Sequence, residues 1–256
     1  MLKAFKSTVE NLPDNVQSVT VDLPAKLPDG VDRGDLLREL AELSALSRYN
    51  YNFHKKFQYP TSRLKNVTFN KRGLASGQAE KAVQEGNTIG QAMNLARHFV
   101  DAPANVNTTR YMSTRAKALA SPTLQVQVRE KAWLEGKEEG NTKRMGLLLG
   151  VGQGNDKTDP DRDPRMVEMV YTPENGQYDR TILLVGKGII FDTGGNNLKA
   201  SEYIHNMEGD MAGAAAVVST MKAIDELKLQ GVRVVGLAPM TENRIGGAAT
   251  LPNDIH

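Results

Sequence analysis

The order of apolar and polar residues predicts a small α/β piece at the start of the chain. Residues 16–23 alternate between apolar and polar at every second position, which is typical of a half-buried strand. Leucines then recur at separations of three and four and predict a helix on this strand; they are Leu36, Leu37, Leu40, Leu43 and Leu46. A polar, basic stretch over residues 54–73 predicts a loop. We therefore expect a shortened N-terminal α/β domain over residues 1–78.

The rest of the chain combines one long helical pattern with short apolar runs. An apolar stripe over residues 79–100, ended by Asp101-Ala102-Pro103, predicts a long linking helix. Five runs rich in apolar or β-branched residues predict strands, at residues 124–128, 145–150, 166–171, 181–185 and 232–238. Helical spacing returns over residues 211–228, and the mixed charges and two prolines of residues 156–165 predict a solvated loop.

Continuous apolar strands that alternate with helices indicate a sheet covered on both faces. The fold class that we expect is therefore α/β, with a mixed, largely parallel sheet flanked by helices. This sheet and the linking helix would occupy residues 79–256 and follow the small N-terminal α/β piece.

Composition and charge exclude several kinds of function. The 32 Lys and Arg residues nearly balance the 30 Asp and Glu residues, and the formal charge of +2 predicts no basic surface for a nucleic acid. The chain has no cysteine, so any metal must be bound through oxygen or nitrogen. We expect a cytoplasmic protein that does not enter the membrane, because the N-terminus lacks a signal-peptide pattern and no stretch reaches the ~18 apolar residues of a membrane helix.

One glycine-rich segment, residues 184–199, concentrates the candidate chemistry. A predicted strand leads into two glycines that flank Lys187, and a second glycine pair follows Asp192. Glycine has no Cβ and lets a ligand approach the backbone closely, and open α/β sheets bind ligands at the carboxyl ends of their strands. The segment does not match a phosphate-binding loop, because Lys187 is followed by Gly188 rather than by Ser or Thr.

Spacing alone leaves the roles of the individual residues open. Asp210 precedes the predicted helix over residues 211–228, where it is either an N-cap or a rigidly held metal ligand. Lys187 and Lys199 are either solvated turn residues or site residues. Met207 is either part of the core or part of a pocket.

Several motifs in order resemble those of a known family. The first is Gly186-Lys187-Gly188-x-x-Phe191-Asp192-Thr193-Gly194-Gly195-x-x-Leu198-Lys199, and the second is Met207-Glu208-Gly209-Asp210-Met211-Ala212-Gly213-Ala214-Ala215. Supporting matches are Asn94-Leu95-Ala96-Arg97-x-x-Val100-Asp101-Ala102-Pro103-Ala104-Asn105-Val106 and Leu149-Gly150-Val151-Gly152-Gln153-Gly154. These motifs resemble the metal-binding core of the leucyl (cytosol) aminopeptidase family, whose members are two-metal peptidases. The resemblance runs from about Glu80 onward, and its order and spacing make it specific.

The resemblance implies a function and a role for each motif residue. Lys187, Asp192 and Asp210 would be metal ligands, with Asp192 bridging two divalent ions, which would be Mn²⁺ or Zn²⁺, or Mg²⁺. Lys199 would be the catalytic lysine, and Met207 would line the pocket for the first side chain of the substrate. The implied activity is two-metal hydrolysis that releases N-terminal, leucine-type residues from peptide substrates, in a cytoplasmic homo-hexamer.

The chain departs from the family pattern in one respect. The family continues with a segment Asn-Thr-Asp-Ala-Glu-Gly-Arg, which carries two more metal carboxylates and the arginine that holds a bicarbonate base, and this sequence contains no such segment. The second ion would then keep only Asp192 as a protein ligand, and the bicarbonate is doubtful because its arginine is absent. Two alternatives therefore stand beside the peptidase. One is a truncated or inactive family member retained for oligomer assembly, and the other is a non-peptidase α/β domain that binds a small molecule.

Overall fold

The computed structural model describes residues 2–13, 15–51, 64–139, 141–155 and 157–249. The chain divides into two compact units, Met1–Asn94 and Leu95–His256. This division falls inside one long helix, α3 (Ser76–Asp101), which confirms the predicted linking helix. The boundary expected after residue 78 stays a prediction. No helix of the described ranges is long and apolar enough to cross a membrane.

The first unit contains a two-stranded parallel sheet and helices. Its elements before α3 are α1 (Leu2–Glu10), β1 (Ser18–Asp22), α2 (Arg33–Ser47) and β2 (Asn66–Asn70). The predicted strand and leucine-rich helix are confirmed by β1 and α2. The loop expected over residues 54–73 is wrong in part, because it contains β2, whose residues alternate between exposed and half-buried; residues 54–63 lie outside the described residues.

The core of the first unit forms between α2 and the first turns of α3. Leu36, Leu37 and Leu40 of α2 are buried against Ala79 and Ala82 of α3. Helix α2 begins where it does because the Asp32 carboxylate accepts hydrogen bonds from two backbone N–H groups of its first turn, those of Gly34 and Asp35.

The second unit is built around a five-stranded sheet. Its helices after α3 are α4 (Thr109–Lys117), α5 (Lys131–Leu134), α6 (Gly146–Val151), α7 (Ser201–Ile204) and α8 (Ala212–Leu227). Its strands are β3 (Leu124–Arg129), β4 (Arg165–Tyr171), β5 (Tyr178–Val185), β6 (Gly188–Asp192) and β7 (Gly231–Asn243). Four of the five predicted strands and the helix over residues 211–228 are thereby confirmed.

The predicted mixed α/β class is confirmed by the pairing of these strands. The order is β3-β4-β7-β5, and β6 also pairs with β7. The pairings of β4 with β3 and β7 are antiparallel, whereas β5 and β6 are both parallel to β7, so the parallel share is smaller than expected. Strands β5 and β6 follow one another along the same edge of β7, with Val185 opposite Leu237 and Gly188 opposite Met240. The chain is therefore interrupted at Gly186 and Lys187 while β7 continues.

Helix α8 and the sheet enclose the main core of the second unit, but one strand stays uncovered. Met211, Val218 and Met221 are fully buried in this core. Strand β5, by contrast, leaves Leu183 and Val185 at 59% and 64% exposure. The cover expected on both faces of the sheet therefore does not extend to β5 within the described residues.

One further expectation about the second unit is wrong, and another is wrong in part. Residues 145–150 were predicted to form a strand, but α6 occupies them, because an apolar run this short fits a buried helix turn as well as a strand. The solvated loop expected over residues 156–165 is confirmed at residues 157, 158, 160 and 161, which are exposed, but its end is buried: Arg165 is 1% exposed and donates to the Glu130 carboxylate over 2.8 Å.

Candidate active site

The break between β5 and β6 is formed by a close backbone approach to the start of α8. A Cβ added at Gly186 would lie 2.2 Å from the carbonyl oxygen of Gly213, which no real side chain could do. The backbone N–H of Ala214 donates to the carbonyl oxygen of Lys187 over 2.8 Å. The close approach of Gly186 to Gly213 thus fixes the backbone of Lys187 at the carboxyl end of β5.

Lys187 forms an ion pair with Asp210. Its Nζ lies 2.8 Å from Oδ1 and 2.7 Å from Oδ2 of the carboxylate. The Lys187 side chain is 60% exposed and that of Asp210 is 21% exposed. Asp210 follows a 3₁₀ turn, Met207–Gly209, and the N-cap position of α8 is Met211, without a side-chain cap. The N-cap interpretation of Asp210 is therefore wrong, and the carboxylate is held by Lys187 instead.

Asp192 ends β6 and has a denser set of partners. Its Oδ1 accepts from the backbone N–H of Gly194 over 2.9 Å and from Asn243 Nδ2 over 2.6 Å. Its Oδ2 accepts from Lys199 Nζ over 2.5 Å. Burial alone raises the pKa of Asp192, but the hydrogen bonds from Lys199, Gly194 and Asn243 outweigh it, so that the pKa lies below its usual value.

The loop after Asp192 folds back and returns Lys199 to it. Gly194 and Gly195 adopt φ of +89° and +68°, a conformation that favours glycine, and the N–H of Lys199 donates to the carbonyl oxygen of Thr193 over 2.9 Å. Lys199 Nζ also lies 3.1 Å from Met207 Sδ. The structure therefore groups the predicted site residues as Lys187 with Asp210, and Lys199 with Asp192 and Met207.

Asn243 is a site residue that sequence reasoning missed. It lies opposite Asp192 where β6 pairs with β7 and contacts the carboxylate directly. The available signal was the rule that parallel strands bring their carboxyl ends to one edge of the sheet. Applying it needs the register of β7, whose strand extends five residues beyond the predicted end at residue 238.

Next to Asn243, a buried carboxylate anchors the end of β7. Glu242 is 0% exposed and pairs with Arg162 over 2.5 Å and with Arg244. Burial alone lowers the pKa of Arg162, but Glu242 and Asp159 raise it above its usual value. Because a buried carboxylate is costly without such partners, this pairing offsets the cost of burying Glu242 at the end of β7.

The metal-ligating atoms that this region offers are of the types that a hard divalent cation binds. Asp192 and Asp210 offer carboxylate oxygens, and Lys187 can join them only as a neutral amine. Across the described part of the chain, no group of three or more His, Cys, Asp or Glu side chains is placed to hold a metal ion. The carboxylates present would therefore supply only part of a coordination shell.

Comparison with known proteins identifies a family that this chain resembles over most of its length. The model of the cytosol aminopeptidase family, catalytic domain, matches residues 94–256. A Bacillus licheniformis protein named "probable cytosol aminopeptidase" is 35% identical over 245 residues, which cover 94% of this chain and 46% of that relative. A Geotalea uraniireducens protein of the same name is 36% identical over 228 residues, which cover 88% of this chain and 43% of that relative. The chain thus spans less than half the length of these two relatives.

Solved structures share the fold. The bottromycin maturation enzyme BotP in complex with Mn matches with a TM-score of 0.79 and 30% identity, over 99% of this chain and 50% of that one. The cytosol aminopeptidase from Coxiella burnetii matches with a TM-score of 0.72 and 22% identity, over 98% of this chain and 47% of that one, which supports the fold alone.

Proposed function

Because the chain belongs to the cytosol aminopeptidase family, we propose that it supplies Lys187, Asp192, Asp210 and Lys199 to a metal-dependent aminopeptidase site. The observation that carries the proposal is the placement of two lysine–aspartate pairs at the carboxyl ends of β5 and β6. This is the edge at which open α/β sheets bind their ligands. The substrates would be peptides with a free amino terminus.

The metal would be held by Asp210, Asp192 and Lys187. A divalent ion in such a site supplies Lewis acidity toward the scissile carbonyl and makes water more acidic. Lys187 would have to give up its proton on binding the ion, since an ammonium group has no lone pair to offer. Its 60% exposure gives that proton a direct route to solvent.

Lys199 would act as the electrostatic residue of the site. Its charged Nζ lies beside Asp192 and Met207. This group donates to Oδ2 of the Asp192 carboxylate and, over 3.2 Å, to the backbone carbonyl oxygen of Asp192. An ammonium group at this position would stabilise the negative charge that develops on the carbonyl oxygen during hydrolysis. Met207, in contact with Lys199, would line the pocket for the first side chain of the substrate.

Several finer features belong to the same proposal. We expect two ions, with Asp192 shared between them. Mn²⁺, Zn²⁺ and Mg²⁺ are the candidates, and the BotP neighbour was solved with Mn. We also propose, from the resemblance to the family, that the protein is cytoplasmic and assembles as a hexamer.

Hydrolysis of a leucine anilide that releases a chromogenic amine tests this function. The protein should release the amine only with one of these divalent ions, and Asp192→Asn should abolish the release because the neutral amide lacks the negative charge with which the carboxylate binds a divalent cation. Asp179→Asn, at an exposed position on β5, is the matched control and should keep full activity. A stable oligomer without turnover at any concentration of these metals would favour the assembly role and overturn the proposal.

A further inference from the structure

Asn243 contacts both the backbone and the side chain at the end of β6. Its amide Nδ2 donates to Asp192 Oδ1 over 2.6 Å. Its backbone carbonyl accepts from the N–H of Thr193 over 2.9 Å and from the hydroxyl of Thr193 over 2.8 Å. A single residue therefore fixes the path of the chain after Asp192 and the orientation of the Asp192 carboxylate.

The two oxygens of that carboxylate are held in different ways. Oδ1 accepts from the backbone of Gly194 and from Asn243, which are both parts of the folded framework. Oδ2 accepts from Lys199, whose side chain is 27% exposed. Because this side chain is long and flexible, it can rotate away from the carboxylate. Oδ2 is therefore the oxygen that a cation could reach without breaking the framework.

The position of Asn243 is itself fixed by its neighbours. Thr241 and Glu242, which precede it in β7, are both 0% exposed, and Glu242 pairs with Arg162 and Arg244. The amide is consequently preset for its contact before any ligand arrives. Outer hydrogen bonds of this kind orient metal ligands in proteins, and losing one typically weakens metal affinity about 10–100-fold.

We propose that Asn243 is a positioning residue, which holds Oδ1 of Asp192 and thereby turns Oδ2 toward the divalent cation. This inference rests on the proposed function, since it concerns the same site. It assigns to Asn243 a role in cation affinity that differs from its role in the β6–β7 pairing.

Calorimetric titration with Mn²⁺ separates those two roles. Asn243→Leu removes the amide donor and keeps the backbone carbonyl, so we expect Mn²⁺ affinity to fall about 10–100-fold. The matched variant is Thr193→Val, which removes the hydroxyl bond to the same carbonyl, together with the bond that the hydroxyl accepts from the N–H of Gly195, and leaves the amide contact in place. It should bind Mn²⁺ like the unmodified protein. Asn243→Ser, whose shorter side chain is easily accommodated, gives the same test if the leucine variant does not fold.

The outcomes are distinguishable. If the Asn243 variants bind Mn²⁺ like the unmodified protein, or if Thr193→Val loses as much affinity as they do, the positioning role is refuted and the peptidase proposal stands. If the unmodified protein binds Mn²⁺ and Asn243→Leu weakens it, but no anilide is hydrolysed, the proposed function fails and the positioning role is supported. An unmodified protein that binds no Mn²⁺ refutes both.

Discussion

The two lysine–aspartate pairs of the candidate site have the same chemistry but different construction. Lys187 and Asp210 meet over an exposed surface, and their backbones are placed by the approach of Gly186 to Gly213. In the second pair, Lys199 is 27% exposed and Asp192 only 15% exposed, and Asp192 has two further donors. The first pair is therefore placed by the backbone and keeps an exposed lysine, whereas the second is set by a network of hydrogen bonds around Asp192. Substitutions should separate them in both activity and stability.

The largest effect should come from Lys199, in the networked pair. If Lys199 stabilises the developing oxyanion, Lys199→Met should lower kcat for the leucine anilide about 10²–10³-fold, as the loss of one such donor does elsewhere, with little change in KM. Steady-state kinetics at saturating Mn²⁺ measures both constants. Lys222→Met is the control, since Lys222 pairs with Glu226 on α8 over 2.6 Å. An unchanged kcat in Lys199→Met would mean that the residue only neutralises Asp192.

The same comparison shows what the sequence could predict. Strands β3, β4, β5 and β7 follow from short runs rich in apolar or β-branched residues, and helix α8 follows from the helical spacing of its apolar residues. The resemblance supplied the candidate site residues, and the glycines marked the end of β5, whereas β6 was not predicted. What periodicity could not resolve was the six-residue run that forms α6, since a segment this short fits either structure.

The missed contacts of the site depend on pairing between distant segments. Asn243 acquires its contact with Asp192 only through the β6–β7 register, 51 residues apart in the chain. The polar loop that contains Arg162 is anchored because Glu242, 80 residues later, is buried beneath it. Local composition cannot reveal such partners, because the same charged residues in a loop without a buried carboxylate would be solvated.

An intermediate effect should follow from a change in the backbone-built pair. Gly186→Ala places a Cβ 2.2 Å from the Gly213 carbonyl oxygen, so the backbone must shift, and we expect the free energy of unfolding to fall by about 1–3 kcal/mol. Urea denaturation of the protein measures this loss. Gly247→Ala, where an added Cβ would meet nothing within 4 Å, should change stability by no more than about 0.5 kcal/mol. Equal stability of the two variants would show that the approach of β5 to α8 is not tight.

The smallest effect should come from the exposed side chain of the first pair. With divalent ions chelated at pH 7, Lys187→Ala should lower the free energy of unfolding by about 0.2–1 kcal/mol, because solvent screens an ion pair whose lysine is 60% exposed. Urea denaturation in a chelating buffer measures it. A larger loss would place Lys187 among the residues that hold the fold together.

The pH dependence of the same variant sharpens the contrast between the pairs. The pKa of Asp192 is lower in the folded protein than its ordinary value of 3.8, so the unfolded chain takes up the proton first as the pH falls. The stability that Asp192 contributes is therefore present above pH 3.8 and is lost as the pH falls through the lower, folded pKa. Lys187→Ala should keep this acid-dependent loss, because Lys199, Gly194 and Asn243 cause the shift. Lys199→Met should flatten it, and a profile flattened by Lys187→Ala instead would show that the two pairs share one electrostatic network.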